Sequence, residues 1–329
     1  MATGLPDVEA SPSEQEGACV EGASIADVLR LLGAGATGAI LMALGEGPLR
    51  TKSLTEGVPG YAARTIYRYA GKLAELEVID RDEEPGVPSK VVHSLSDPCG
   101  TELYELITRF ADSTLTRLPD GRIDAHAWAS LGLLADLWEA GLVEELSCEA
   151  RSPTELARGD HGLSYHQVSR RTGLFRAGGL LGDRQGPGRS RCFELTERTR
   201  RKMGLIAAVG RWRGRHVAGG AQEGLTEEEM ATVLRAALPL VELPDHRGKC
   251  LRLSVGGEEV WAEVEADGSV HSCASQPADP DSHALGTVKD WIAVLLDDET
   301  GGLRFEGEEA PLAVCLAALH ARLWTPAPF

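Results

Sequence analysis

The strongest constraint on this chain is that it echoes itself: shifted by 102 positions, residues 28–79 fall on a later stretch without a gap. Leu29 lands on Leu131, Leu32 on Leu134, Ile40 on Leu142, Leu44 on Leu146 and Leu54 on Leu156. Gly57 meets Gly159, Ile66 meets Val168, Arg68 meets Arg170, Gly71 meets Gly173, Leu73 meets Phe175 and Ile79 meets Leu181. After a two-residue deletion, Leu95-Ser96-Asp97 falls on Leu195-Thr196-Glu197. What repeats is apolar spacing more than identity, so each copy has to bury the same faces. A chain of 329 residues then reads as two similar units and a remainder of comparable length.

Each copy has the same predicted order. A helix carries Val28, Leu29 and Leu32 at i, i+3, i+4 spacing, and a second apolar helix carries Ile40, Leu41 and Leu44. A short helix lies around Leu54, followed by a turn at Val58-Pro59-Gly60. The next helix, about 62–76, buries Ile66, Tyr69, Ala70 and Leu73. Two strands, Val78–Arg81 and Lys90–Leu95, close the unit around a Pro/Gly-rich loop. Three helices followed by a hairpin is the order of a winged helix-turn-helix.

The outward face of the 62–76 helix sets Arg64, Arg68 and Lys72 in line at i, i+4, i+8. Like charges so placed destabilise an isolated helix by a few tenths of a kcal/mol each. A polyanion lying along the face reverses that sign. Thr65 and Tyr67 beside them, and Lys90 on the hairpin, add donors for phosphate or base edges. The second copy offers His166, Gln167, Arg170 and Arg171 on its helix and Arg184, Arg189 and Arg191 in its shorter wing. The Gly178-Gly179 pair is expected to weaken the end of that helix.

The net charge of −17 disguises this distribution. Residues 161–220 hold thirteen Arg or Lys against three acids, and the rest of the chain carries −27. A basic segment on an acidic chain is the electrostatic footprint of a nucleic-acid binder. Arg198, Arg200, Arg201, Lys202, Arg211, Arg213 and Arg215 are expected to extend the patch.

The first copy resembles the HxlR family, a MarR-like group of bacterial winged-helix regulators. The resemblance runs from Cys19 to about Ile107 and rests on Leu31-Leu32-Gly33, Ile40-Leu41, Gly47-Pro48-Leu49-Arg50 and Arg64-Thr65-Ile66. It continues through Leu73-Ala74-Glu75-Leu76, Val78-Ile79-Asp80-Arg81 and Val87–Leu95. One wing proline is kept at Pro88, whereas Ser89 replaces the other, His93 takes a tyrosine's place and Gly35-Ala36-Thr37 replaces Gly-Lys-Trp. The resemblance implies double-stranded DNA as partner and action as a dimer, which two copies in one chain would supply internally. Some members sense oxidants or aldehydes through a cysteine near the N-terminus, the region of Cys19. Here Val20 follows it and no basic neighbour lowers its pKa, so a redox role is not expected.

After Gly219 the pattern changes. Thr226 and Glu229 form a capping box for a helix through Leu238. Leu251–Val255 and Val260–Val264 alternate with period two, with turns at Gly256-Gly257 and Asp267-Gly268. A polar loop at 275–284, a helix around Trp291, a strand at Leu303–Phe305 and a helix from Pro311 to Leu323 complete the order. This order resembles the sterol-carrier-protein fold, most closely at Gly301–Gly307. The resemblance implies an apolar tunnel lined by Trp291, Leu295, Leu316 and Leu319 and a hydrophobic effector; plain core is the alternative.

The fold expected is mainly α with α+β: an acidic tail at 1–18, winged-helix units at 19–122 and 123–218, and a sterol-carrier-like α+β domain at 219–329. Seven dispersed cysteines, no signal sequence and no long apolar run predict a cytoplasmic protein with no membrane span. Phosphate-loop, dinucleotide, zinc-protease and nucleophile-elbow motifs are missing, so no enzyme activity, metal or cofactor is expected. The function expected is DNA-binding transcription regulation by a monomer or homodimer. The alternative is a non-enzymatic scaffold or hydrophobic-ligand carrier whose winged helices bind protein.

Overall fold

A computed structural model of the chain describes residues 23–85, 90–114, 125–186, 190–217 and 224–324. The predicted tail at 1–18, Cys19 and Arg189 lie outside these residues. In the first unit, α1 (Ile25–Gly33) starts at a capping box in which the Ser24 side chain accepts from the Asp27 amide. It is followed by α2 (Ala36–Leu44), β1 (Leu49–Arg50), α3 (Thr51–Gly57) and α4 (Ala63–Glu75). Strands β2 (Ile79–Glu84) and β3 (Lys90–Leu95) form the wing, with β1 adding a third strand in the order β1-β3-β2. Leu29, Leu32, Ile40, Leu41, Leu54, Ile66 and Leu73 are fully buried, which fits the stripe predicted for each helix. Helix α5 (Cys99–Thr114) closes the unit.

The second stretch follows the same order: α6 (Ala125–Glu139), α7 (Leu142–Glu145), α8 (Pro153–Leu156), α9 (Tyr165–Ala177), β4 (Leu181–Gln185) and β5 (Arg191–Leu195). Helices α4 and α9 each have 13 residues and begin 102 positions apart, at Ala63 and Tyr165. The bonds that end them also recur. Val78 N donates to Leu73 O at 2.9 Å, and Leu180 N to Phe175 O at 2.8 Å. The bridge between Arg151 and Phe193 stands where Leu49 pairs with His93. The glycine pair does not shorten α9; Gly179, at φ +71°, turns the chain into the hairpin instead. One helix does differ from expectation. The counterpart of α2 is the single turn α7: Gly35 breaks the chain before α2 at φ 61°, but Gly141 (φ 68°) breaks it four positions later under the 102 shift, so α6 runs on to Glu139 and little is left for α7.

Helices α10 (Glu197–Arg201) and α11 (Met203–His216) follow. Helix α11 is buried from Met203 to Gly210 and packs against α1 and α5 on one side. On the other side it meets α12 (Glu227–Ala237), α13 (Val288–Asp297) and α14 (Glu309–Trp324) of the C-terminal part. That part holds a five-stranded sheet of β6 (Cys250–Val255), β7 (Glu258–Val264), β8 (Val270–Cys273), β9 (Ser282–Gly286) and β10 (Arg304–Gly307). The strand order is β10-β9-β6-β7-β8, with β6 and β9 parallel. The architecture is therefore α+β, and the expected capping box at Thr226–Glu229 is present.

Strand β9 corrects the loop expected at 275–284, whose last residues it takes up. Its first three residues, Ser282, His283 and Ala284, are all buried, so they show no alternation. The strand is fixed by pairing with β6, about thirty positions earlier in the chain. No single described helix is long and apolar enough to cross a membrane; the α1–α2 pair passes only as a bend of 82°.

Candidate nucleic-acid interface

Helix α4 presents its charged residues to solvent because Ile66, Ala70 and Leu73 take the opposite side into the core. Arg64, Arg68 and Lys72 are exposed, and none forms an ion pair among the described residues. The Arg68 guanidinium lies 4.8 Å from the centroid of the Tyr69 ring, with Lys72 Nζ at 5.8 Å. Tyr67 is 51% exposed, while Thr65 is half-buried. Lys90 is exposed at the start of β3, opposite Glu84.

Helix α9 repeats the arrangement with other side chains. Val168, Thr172 and Phe175 face inward, leaving His166 and Arg170 exposed and Arg171 half-buried. Neither arginine is in an ion pair with a described residue. Gln167 is a helix cap: its Oε1 accepts from Ser164 N at 2.8 Å, and Ser164 Oγ accepts in turn from the Gln167 amide. The Ser-x-x-Gln spacing carries the signal for that box, and it ties up the amide expected at DNA.

The two wings are less cationic than the sequence count implies. Arg191 binds the Asp183 carboxylate through two nitrogens at 2.7 and 2.8 Å, and Arg176 shares that partner. Arg184 pairs with Glu194 at 3.2 Å. In the first wing Asp80, Asp82, Glu83 and Glu84 are all exposed, and Arg50 pairs with Glu84 at 2.9 Å. His93 sits beneath this wing, 3% exposed, its Nε2 3.2 Å from Thr51 Oγ1. Burial, and secondarily Arg81, holds its pKa below the usual histidine value.

Apart from Arg198, which is exposed and forms no ion pair among the described residues, the basic run after the second wing does not extend the patch. Arg200 reaches the carbonyls of Ser147 and Ala236, Arg201 pairs with Glu197, and Arg213 donates to the Gly224 carbonyl. Arg211 pairs with Asp297, and Arg215 and His216 both meet Glu102. The Arg201–Glu197 pair lies within α10, and the other cations join α10 and α11 to the parts packed around them. Lys202 is fully buried, and its Nζ donates to Ser130 Oγ at 2.6 Å. Desolvation and nearby Arg198 push its pKa down to about 7.

Trp291, Leu295, Leu316 and Leu319 lie together in the C-terminal core, each 0% exposed, and the Trp291 indole donates to Ser254 O at 2.9 Å. The open clefts on the surface at 149–159 and beside Cys148 and His271 are lined by other residues. All six described cysteines are free thiols, and burial pushes those of Cys99 and Cys273 up to about 11. Among the described residues no group of three or more His, Cys, Asp or Glu is placed to hold a metal ion.

Three helices, a hairpin wing and a row of unpaired cations on the last helix define a winged-helix module of the nucleic-acid-binding class. Residues 31–118 match the HxlR-like helix-turn-helix family, so this segment is an HxlR-like helix-turn-helix domain. Among solved structures, the diamide-treated YodB from B. subtilis is 30% identical, with 26% of this chain and 86% of that chain covered at a TM-score of 0.23. A UbiJ-SCP2 ubiquinone synthesis protein is 17% identical, with 29% of this chain and 79% of that chain covered at a TM-score of 0.22. No curated protein matches the chain. The family match supports a DNA-binding transcriptional regulator.

Proposed function

We propose that the chain is a non-enzymatic, cytoplasmic transcriptional regulator that grips double-stranded DNA with α4 and α9, its two winged units forming an internal pseudo-dimer. The observation that carries this reading is selective pairing. Most arginines of the basic run are held by carboxylates or carbonyls, whereas Arg64, Arg68, Lys72, Arg170 and Arg171 have no such partner among the described residues. Unpaired cations on the two helices that face outward suit a shared strip of phosphates.

The contact between the units supports the pseudo-dimer. Helix α1 crosses α6 where the backbones of Gly33 and Gly132 meet, and Arg30 reaches Asp136 at 3.0 Å and also Glu139. Under the 102 shift Gly33 corresponds to Ala135 and Gly132 to Arg30. The Gly33–Gly132 meeting thus maps onto Arg30 and Ala135, one position from the observed Arg30–Asp136 pair. Exchange of partners within one position is what a two-fold relation produces. The recognition faces differ, so an asymmetric site follows. The C-terminal part packs on α11, which also touches α1 and α5, and this gives a bound effector a route to the DNA-reading units. Such an effector shifts DNA affinity only by binding the free and DNA-bound forms unequally.

The test is selection of bound fragments from genomic DNA, followed by titration of the enriched duplex over a salt series. A steep, linear fall of log K with log salt is expected; absence of enrichment would reject the reading. A second reading, a protein-binding scaffold, is favoured by Tyr165 and Leu174, which are 58% and 53% exposed on α9. It predicts affinity for a protein partner that is insensitive to loss of Arg68 and Arg170.

A further inference from the structure

The outward stripes of α4 and α9 differ at one end. On α4 the row is Arg64, Arg68 and Lys72, and the 102 shift sets these on His166, Arg170 and Leu174 of α9. A leucine thus stands where the first unit has an exposed lysine. Leu174 is 53% exposed, and it follows Arg170 by four residues, so the two are neighbours on the side of α9 turned away from Val168, Thr172 and Phe175. Among the described residues, four large hydrophobic side chains are about half exposed or more, and three of them, Tyr67, Tyr165 and Leu174, are on α4 and α9. Tyr67 lies outside the i, i+4, i+8 row and Tyr165 is the first residue of its helix, which leaves Leu174 as the one in line with the cations.

We propose that Leu174 is a thymine reader: with α9 in the major groove, its side chain packs on the C5-methyl group of thymine, and the first unit makes no equivalent contact. This rests on the reading that α4 and α9 bind DNA, and it names what one of them recognises. A phosphate offers an aliphatic side chain nothing. On the base edges of the major groove the groups are hydrogen-bond donors and acceptors, and the thymine methyl is the apolar feature. Arg170, one turn away and in no ion pair with a described residue, draws the anionic backbone to the same face, so charge favours DNA over a neutral apolar partner. Lys72, at the matching place on α4, is suited to phosphate instead. The two halves of the bound site are therefore read by different chemistry, cationic along α4 and partly apolar along α9.

The experiment replaces each thymine of the selected duplex in turn by deoxyuridine, which removes the methyl group and keeps the base pairing. Fluorescence anisotropy with the full chain should show binding weakened by about fourfold for each contacted methyl. The sensitive positions should fall in one half of the site. Leu174→Ala should bind the thymine and uracil duplexes equally, whereas Leu174→Met, which keeps an apolar side chain of similar size, should still tell them apart. Both variants alter an exposed residue, so their unfolding midpoints should barely move. Indifference of the unaltered chain to every replacement overturns the proposal, as does a uracil penalty that Leu174→Ala retains in full; salt-dependent DNA binding would stand in both cases. Unchanged affinity of Leu174→Ala for the thymine duplex also overturns it, and would leave the side chain to a protein partner. If no duplex is bound at all, the DNA reading itself fails and thymine recognition falls with it.

Discussion

Glu77 and Gly179 share a left-handed backbone conformation, φ 55° and φ 71°, at equivalent positions just past the ends of α4 and α9. At each position the chain leaves a helix and enters a wing, and the amide that follows closes back onto the helix. Glycine accepts this conformation freely, while a side chain with a Cβ is strained by it. The first unit keeps the turn despite the residue there, so the turn is set by the bonds around it: Val78 to Leu73, and Ser96 Oγ to the Glu77 carbonyl.

Glu77→Gly is therefore expected to stabilise the chain by about 1 kcal/mol, and Gly179→Ala to destabilise it by about 1–2 kcal/mol. A Cβ at Gly179 meets nothing within 4 Å, so the loss would be purely conformational. Urea unfolding midpoints measure both; a loss of stability on Glu77→Gly would contradict the strain argument.

Arg68→Ala and Arg170→Ala should each weaken DNA binding and flatten the slope of log K against log salt by about 0.9 for each phosphate no longer neutralised. Arg211→Ala, which removes a cation already paired with Asp297, should leave that slope unchanged. Fluorescence anisotropy on the selected duplex at several salt concentrations separates the two cases.

The α1–α6 crossing tolerates no side chain at Gly33, where a Cβ would run into the backbone of Gly132. Gly33→Leu is expected to cost roughly 1–3 kcal/mol of stability. Gly71→Ala on α4, where a Cβ has open space, should gain about 0.5–1 kcal/mol instead. Paired denaturation curves give the comparison.

Lys202 predicts a pH dependence. Its folded pKa of about 7 lies below the ordinary 10.5, so between these values the unfolded chain holds a proton that the folded chain lacks. Its contribution to stability therefore rises with pH across that window and is most unfavourable below it. Lys202→Met should raise the unfolding midpoint most at pH 7 and below, and the gain should vanish above about pH 10.5. An equal gain at every pH would show that Lys202 is not buried as an uncharged amine.

Much of the candidate interface could be read directly. The spacing of Ile66, Ala70 and Leu73 fixed which side of α4 faces out, and so exposed Arg64, Arg68 and Lys72. The fate of the later cations could not be read that way. Arg211 finds Asp297 and Arg215 finds Glu102 across separations of 86 and 113 positions. The buried state of Lys202 left no local signal either, because its partner Ser130 stands 72 positions away.

The amino-acid order alone determined most of the helices, both hairpins and the capping box at Thr226–Glu229. Apolar periodicity and capping act over a few neighbouring residues and are complete within a short window of chain. Folding in three dimensions decided which charges stay free and placed β9 beside β6. Ion pairing and parallel strand pairing join groups far apart along the chain, and a linear pattern holds no record of which distant groups will meet.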